Sequence, residues 1–265
     1  MTSTAVAMAQ SVLLQIRPRV GDTLHLRLDQ QTELTSTRAL GGAGPVTTVT
    51  TTMRVYSRAI IERSAPSATY VRAVTDSVRL TSTDERALNL DDARRALEGR
   101  AMTLWISPDG TVSLADTTDD GAHEGADAVS LMPAALPRGP VEVGYTWSRD
   151  MPLPAGGRIG GGASNGWLHT RFRLDSLSQK GTFAYVSMRG EMNPERNPGA
   201  SNGAGPELEH GSVSGTMRFD RARGWLTESQ FTIIAHSIVH VPGSDNTVMR
   251  FETRVTQHMR TVERR

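Results

Sequence analysis

The sequence predicts a mainly β protein: an antiparallel curved sheet forming a barrel or half-barrel of about ten strands, with one or two short helices. Three observations carry this. Apolar and polar residues alternate with a period of two in most of the readable segments. Turn residues recur at hairpin spacing. Helical periodicity does not alternate with the strands, as a parallel sheet would require.

The elements follow in order. "VGDTLHLRLDQQTEL" (20–34) sets Leu24, Leu26 and Leu28 against His25, Arg27 and Asp29, the signature of a half-buried strand. "TTVTTTMRVYSRAIIERS" (47–64) and "ATYVRAVTDSVRLTST" (68–83) are rich in β-branched residues and are separated by Ala65-Pro66-Ser67, so a meander is expected. "NLDDARRALEG" (89–99) is the clearest helix. Asn89 or Asp91 caps it, acids fill its first turn and Gly99 stops it. Its small apolar face, Ala93, Ala96 and Leu97, suits a place against a sheet edge or mouth.

"AMTLWISPDGTVSLAD" (101–116) reads as a hairpin turning at Pro108-Asp109-Gly110. A proline-punctuated stretch through "AVSLMPAALPRGPVEVGYTWS" reads as a loop or short helix. "WLHTRFRLDSLSQKGTFAYVSMRGEM" (167–192) is a second hairpin, turning near Gln179-Lys180-Gly181, and "GTMRFDRARGWLTESQFTIIAHSIVHV" (215–241) a third, turning at Asp220 to Gly224. "NTVMRFETRVTQHMRTVE" (246–263) closes the chain as a long strand. Residues 10–265 read as one domain, with long loops at 154–166 and 193–211.

Composition narrows the function classes. A chain of 265 residues can bury a sizeable core, and no run approaches the ~20 apolar residues of a spanning helix. The formal net charge is only +1, so nothing drives the whole chain toward nucleic acid. The basic stretches "MRFDRARG" and "RTVERR" lack interleaved aromatics that would stack on bases. Lys180 is the only lysine; the remaining basic charge is arginine. Cysteine is absent, which excludes disulfides, thiolate nucleophiles, cysteine zinc sites and iron–sulfur clusters. Ala7-Met8-Ala9 before Gln10 fits an A-x-A cleavage pattern, so residues 1–9 are expected to be a signal-peptide remnant or a disordered tail and the protein to be exported.

Taken together, "VGDTLHLRL", the threonine-rich second strand, "LPRGPVEVGYTW" and "SGTMRFDRARGWLTESQFTI" followed by a long final strand resemble a family of exported bacterial β proteins. In strand order these are similar to the LolA/LppX-like lipoprotein-carrier half-barrels. The resemblance covers most of residues 18–262. It implies an extracytoplasmic location and a curved sheet able to hold an apolar ligand, and it carries no catalytic residue across. The chain departs from a dedicated carrier in placing Thr, Arg, His and Ser at many strand positions.

Candidate site residues are few. His236 and His240 are four apart on a strand, about 13 Å by strand rise, too far to chelate one ion together. "DTTDDGAHEGAD" (116–127) places Asp116, Asp120 and Asp127 at calcium-loop positions with Gly121 at the sharp turn, but His123 and a terminal Asp in place of Glu depart from that pattern; a solvated acidic loop is the stronger reading. "GGRIGGGASNG" lacks the Gly-Lys-Ser/Thr ending of a phosphate loop and reads as a linker. No Gly-x-Ser-x-Gly elbow is present. The expectation is therefore a non-catalytic extracytoplasmic binding protein with no cofactor. Its lipid-like ligand would meet Trp105, Trp225, Ile234 and Ile238. The alternative is an extrinsic subunit docked on a larger membrane complex, respiratory or photosynthetic. In that case Arg250, Arg254 and Arg260, which share one face of the last strand, would meet the partner.

Overall fold

The computed structural model describes residues 11–39, 43–84, 89–114, 136–152, 166–194, 207–240 and 248–263. Among the described residues, eleven antiparallel strands form a single sheet: β1 (Thr23–Ala39), β2 (Ala43–Ser64), β3 (Thr69–Ser82), β4 (Ala101–Ile106), β5 (Val112–Leu114), β6 (Thr146–Pro152), β7 (Gly166–Leu177), β8 (Phe183–Pro194), β9 (Glu207–Asp220), β10 (Trp225–His240) and β11 (Val248–Val262). Their order is β5-β4-β3-β2-β1-β11-β10-β9-β8-β7-β6, so the last strand lies in the middle and joins two meandering arms. The predicted half-barrel is what forms. The sheet is curved and its edge strands, β5 and β6, do not pair with each other.

Register follows side-chain parity. Leu28 stands opposite Met259 and Val55, and Gln257 opposite Gln30 and Phe231. These residues and their i±2 neighbours share the concave face. The other parity sends Arg27, Asp29, Arg54, Arg58, Arg218 and Arg254 to the convex face, where they meet acids. Asp29 takes both Arg27 (2.7 Å) and Arg54 (2.6 Å), and Arg58 takes Asp76 (2.8 Å). Partial burial pushes the Asp29 carboxyl pKa up, and the two guanidiniums outweigh that and hold it below its ordinary value.

Curvature in the β8–β9 region comes from concave-facing glycines. A Cβ on Gly215 would lie 2.3 Å from the Gln230 carbonyl oxygen and 2.6 Å from the Phe231 Cβ, so only glycine lets β10 approach this closely. Met188 and Phe231, its cross-strand neighbours, fill the space and are both buried.

The helix forms as α1 (Leu90–Leu97). Asn89 caps it by accepting a hydrogen bond from the Asp92 N–H, and Asp91 and Asp92 complement its positive end. It buries no residue and sits beside β3, where Gly99 and Arg100 exchange backbone hydrogen bonds with Thr75. This is the sheet-edge position that its small apolar face implied.

One end of the half-barrel is drawn shut, by means the sequence did not announce. Residues 11–17 run across it with Val12, Leu14 and Ile16 buried. Val12 pairs with Val141 ahead of β6, the Ile16 N–H donates to Pro108 in the β4–β5 turn, and the Arg17 N–H donates to Gly224 in the β9–β10 turn. Gly224 needs its positive φ of 59°, and a Cβ there would lie 2.6 Å from the Arg17 carbonyl oxygen. Arg149, concave-facing on edge strand β6, reaches Asp109 (3.2 Å) beside the opposite edge and also donates to the Leu136 carbonyl (3.0 Å). The edges that never pair along their length are thus clasped at this closed end.

Candidate functional site: an apolar concave face with a polar seam

The arm built from β1 to β5 presents Leu26, Leu28, Leu34, Met53, Val55, Leu80 and Met102 on the concave face, all only partly buried. Toward the closed end the same face becomes buried, at Leu24, Ala59, Ile61, Val71 and Leu104. The other arm is filled nearly throughout. Phe172, Leu174, Val186, Met188, Val213, Met217, Phe219, Phe231 and Ile233 are all 4% exposed or less apart from Met217 at 6%. A half-open apolar trough therefore lies on the first arm and is backed by a packed second arm. The convex face carries mostly charged, amide and hydroxyl side chains at the corresponding positions, with Ile60, Ile234 and Ile238 among them. This is the inverse of a membrane-spanning barrel, whose outward face is the apolar one. Among the described residues, no helix is long and apolar enough to cross a membrane.

Where the two arms meet, polar side chains of concave parity are buried within the core. Gln257 on the central strand is 2% exposed and stands opposite Gln30, whose amide donates to the Thr32 hydroxyl (3.3 Å). Ser229 (1% exposed) and Thr253 (3%) lie diagonal to these on β10 and β11, and their hydroxyl oxygens have no hydrogen-bond partner among the described residues. Sequence alternation alone could not single them out, because burial of a Ser, Thr or Gln depends on which parity faces inward and on what covers it.

The structure does not gather Trp105, Trp225, Ile234 and Ile238 on the concave face. Ile234 stands opposite Arg254 and Ile238 opposite Arg250, so both share the convex parity of those arginines. Trp105 is also convex, 43% exposed, with its ring 5.3 Å from Tyr70, and Arg63 lies 3.6 Å over the Tyr70 ring. Trp225 is buried near the closed end, 8% exposed, as the first residue after the β9–β10 turn. A register shift between Leu226 and Glu228 keeps it from sharing the inward parity of Phe231 and Ile233.

Arg250, Arg254 and Arg260 are exposed on the convex face, and Arg254 pairs with Glu252 (3.5 Å) and Glu33 (4.0 Å). His236 stands opposite His210 rather than working with His240, the two rings stacking at 4.4 Å. No group of three or more metal-ligating side chains converges among the described residues. The acidic segment holding Asp116, Asp120 and Asp127 lies outside the described residues, as do residues 1–10 with their cleavage pattern.

No family model matches the chain, and no curated protein matches it. Among solved structures, it is similar to lipovitellin, from a structure titled for lipid–protein interactions in that protein, with a TM-score of 0.52 and 9% identity. The similarity covers 93% of this chain and 26% of lipovitellin, so the chain spans about a quarter of the protein it resembles. At this identity the likeness shows a shared β fold. An outer membrane channel from Pseudomonas putida F1 aligns over 99% of this chain and 100% of that one, at 9% identity and a TM-score of 0.25, too low to establish a common fold.

Proposed function

We propose that this protein is a binding protein that holds an apolar, lipid-like ligand against the concave face of the β1–β5 arm. The observation that carries the proposal is the reversal of polarity across one sheet: half-open leucine, valine and methionine side chains inside, ion-paired side chains outside. Each partly buried leucine-sized side chain that ligand covers contributes a fraction of the ~1.5–3 kcal/mol of full burial, and several together give the trough an affinity reservoir. Two things support the reading: the fold shared with part of a lipid-binding protein, and the sequence resemblance to LolA/LppX-like carriers. The Ala7-Met8-Ala9 pattern supports an extracytoplasmic site of action. The mechanism is one of burial and release, with no covalent step and no cofactor.

The test uses N-phenylnaphthylamine, an uncharged dye that brightens in apolar surroundings. Saturable brightening with the full chain is expected, together with loss of most of it in Val55→Asp, which puts a charge in mid-trough. Equal dye binding by the two proteins would defeat the reading.

A second reading rests on the convex face. Arg63, Tyr70 and exposed Trp105 form a contiguous aromatic–guanidinium group of the kind that anchors protein interfaces. It supports docking on a membrane-complex subunit. Native affinity purification of the full chain, repeated with Trp105→Ala, separates this reading from the first. A stoichiometric partner that is lost in the variant would favour docking.

A further inference from the structure

We infer that the outer surface of the closed end is a docking surface for an anionic lipid membrane. This surface shares no residue with the trough, so it goes beyond the ligand-binding reading. It begins with residues 11–22, which run across the closed end as a strap. Val12 exchanges two backbone hydrogen bonds with Val141, the Arg17 N–H donates to Gly224, and the Gly21 N–H donates to Ile61, so the strap is held along its length. Alternation then sorts its side chains. Val12, Leu14, Ile16 and Pro18 are buried, while Leu13, Arg17 and Arg19 are exposed, and Val20 follows them in the turn into β1. No acidic residue occurs between Ser11 and Gly21.

The exposed side of this end joins apolar tips to unpaired cations. Leu13 is 44% exposed and Val20 59%; beyond the Val12–Val141 bridge, Val143 is 53% and Tyr145 52% exposed. Large apolar side chains left this open, gathered at one end, mark an interaction surface. The cations come from three segments that backbone hydrogen bonds tie together. The Arg221 N–H donates to the Thr182 carbonyl and its guanidinium to the Gly181 carbonyl, which joins the turn holding Lys180 to the turn holding Arg223. Arg17, bonded to Gly224, brings the strap to the same place. Arg223 reaches Asp220 only at 3.8 Å, and among the described residues Arg17, Arg19 and Lys180 have no ion-pair partner.

Two carboxylates of this end are engaged within the fold. Asp220 accepts from the Ala222 and Arg223 N–H groups (2.9 and 3.0 Å), and Asp109 belongs to the clasp with Arg149. That leaves Asp22, Glu62, Glu142 and Glu263 against Arg17, Arg19, Arg63, Arg138, Lys180 and Arg223, and the end is net positive. An acidic protein or a nucleic acid would use the cations alone. Apolar tips set among cations fit a partner with negative charge at its surface and hydrocarbon just beneath, which is an anionic bilayer.

The experiment is flotation of the full chain with vesicles of phosphatidylcholine alone and of phosphatidylcholine mixed with phosphatidylglycerol. Binding to the mixed vesicles is expected to be at least about tenfold tighter, and to weaken as salt is raised. Each basic residue near an anionic surface multiplies affinity about fivefold, so Arg17→Gln with Arg19→Gln should weaken binding about twentyfold. Leu13→Ser should weaken it several-fold. These side chains are exposed, so the variants keep the fold. Arg189→Gln with Arg250→Gln removes the same charge from the convex face and should leave binding within about twofold, because screening confines the attraction to the docked surface. Val55→Asp, in the trough, should bind as the parent chain does. Equal binding to both kinds of vesicle overturns the inference, as does binding that survives the strap variants. An equal loss from the convex-face variant overturns it by making the charge of the whole molecule the cause. A loss in Val55→Asp assigns vesicle binding to the trough, which overturns the docking surface and leaves the ligand reading in place. Failure of the dye to bind the trough defeats that reading alone and leaves the vesicle result standing.

Discussion

The two arms of the sheet use the same period-two alternation to different ends. In the arm from β6 to β10, the concave side chains pack on one another and on residues 11–17, and large residues such as Phe172, Phe219 and Leu174 are 1% exposed or less. In the arm from β1 to β5, burial at the closed end gives way to partly buried Leu28, Leu34, Met53 and Val55. The difference lies less in hydrophobicity than in what faces each strand. The second arm curls tightly at Gly190, Gly211 and Gly215, where neighbouring side chains and backbone occupy the space of the missing Cβ atoms. The first arm has no concave glycine in its described central strands, so its face stays broad. One arm is stability and the other is surface kept available.

That contrast can be broken first where it is strongest. Phe219→Ala at the closed end of the packed arm should cost about 3–5 kcal/mol, because the cavity it leaves is enclosed on all sides. Urea unfolding followed by circular dichroism measures it, and a loss below about 1 kcal/mol would mean the arm is not packed as described.

The clasp between the arms comes next. The Asp109 carboxyl accepts from the Ser107 hydroxyl (2.5 Å), from the Thr111 hydroxyl (2.9 Å) and N–H (3.3 Å), and from Arg149 (3.2 Å). Burial works against its ionisation, yet these donors prevail and hold its pKa below the ordinary carboxylate value. The sign follows. A group with a depressed native pKa adds stability that is fully present above the unfolded value near 4 and is lost as pH falls through the lower native value. Asp109→Ala should cost about 2–3 kcal/mol at neutral pH. Its deficit against the parent chain should shrink in strong acid, which thermal melts across pH would read. A deficit that does not change with pH would remove the carboxylate from the clasp.

The smallest effect on stability should carry the largest effect on binding. Leu34→Ala, in the half-open trough, is expected to cost less than Phe219→Ala, about 1 kcal/mol, since its side chain is only partly buried. The same change should weaken dye binding several-fold in a fluorescence titration. If Leu34→Ala destabilises as much as Phe219→Ala, the two arms are equivalent and the trough is simply core.

Much of the fold was legible in the sequence. The Pro108-Asp109-Gly110, Lys180-Gly181 and Arg221-to-Gly224 turns fall where glycine with positive φ is needed, at Gly110, Gly181 and Gly224. The alternation in β1 and β11 named the right faces, and Arg250, Arg254 and Arg260 are exposed together as their shared parity required. The candidate site was legible only in kind. Ile234 and Ile238 read as a second apolar face of β10, but their cross-strand neighbours are arginines of the convex face. Trp105 read as a lining residue, yet it has convex parity, opposite Tyr70, while its neighbour Leu104 faces inward. The segment 11–17 gave no sign of spanning the closed end, because Val12, Ile16 and Arg17 hydrogen-bond to backbone more than ninety residues away in the chain.

The sequence by itself determined that the chain forms antiparallel strands, where most of them turn, and which residues along each strand share a face. These are local properties: φ preference, turn chemistry and side-chain alternation act over a few residues. Only the tertiary structure decided which parity is concave, that the last strand lies at the centre, that Asp109 and Arg149 clasp the two edges, and that Gln257, Ser229 and Thr253 are buried in one seam. Those outcomes depend on strand pairing and on the direction of sheet curvature, which are set by contacts between residues far apart in the chain.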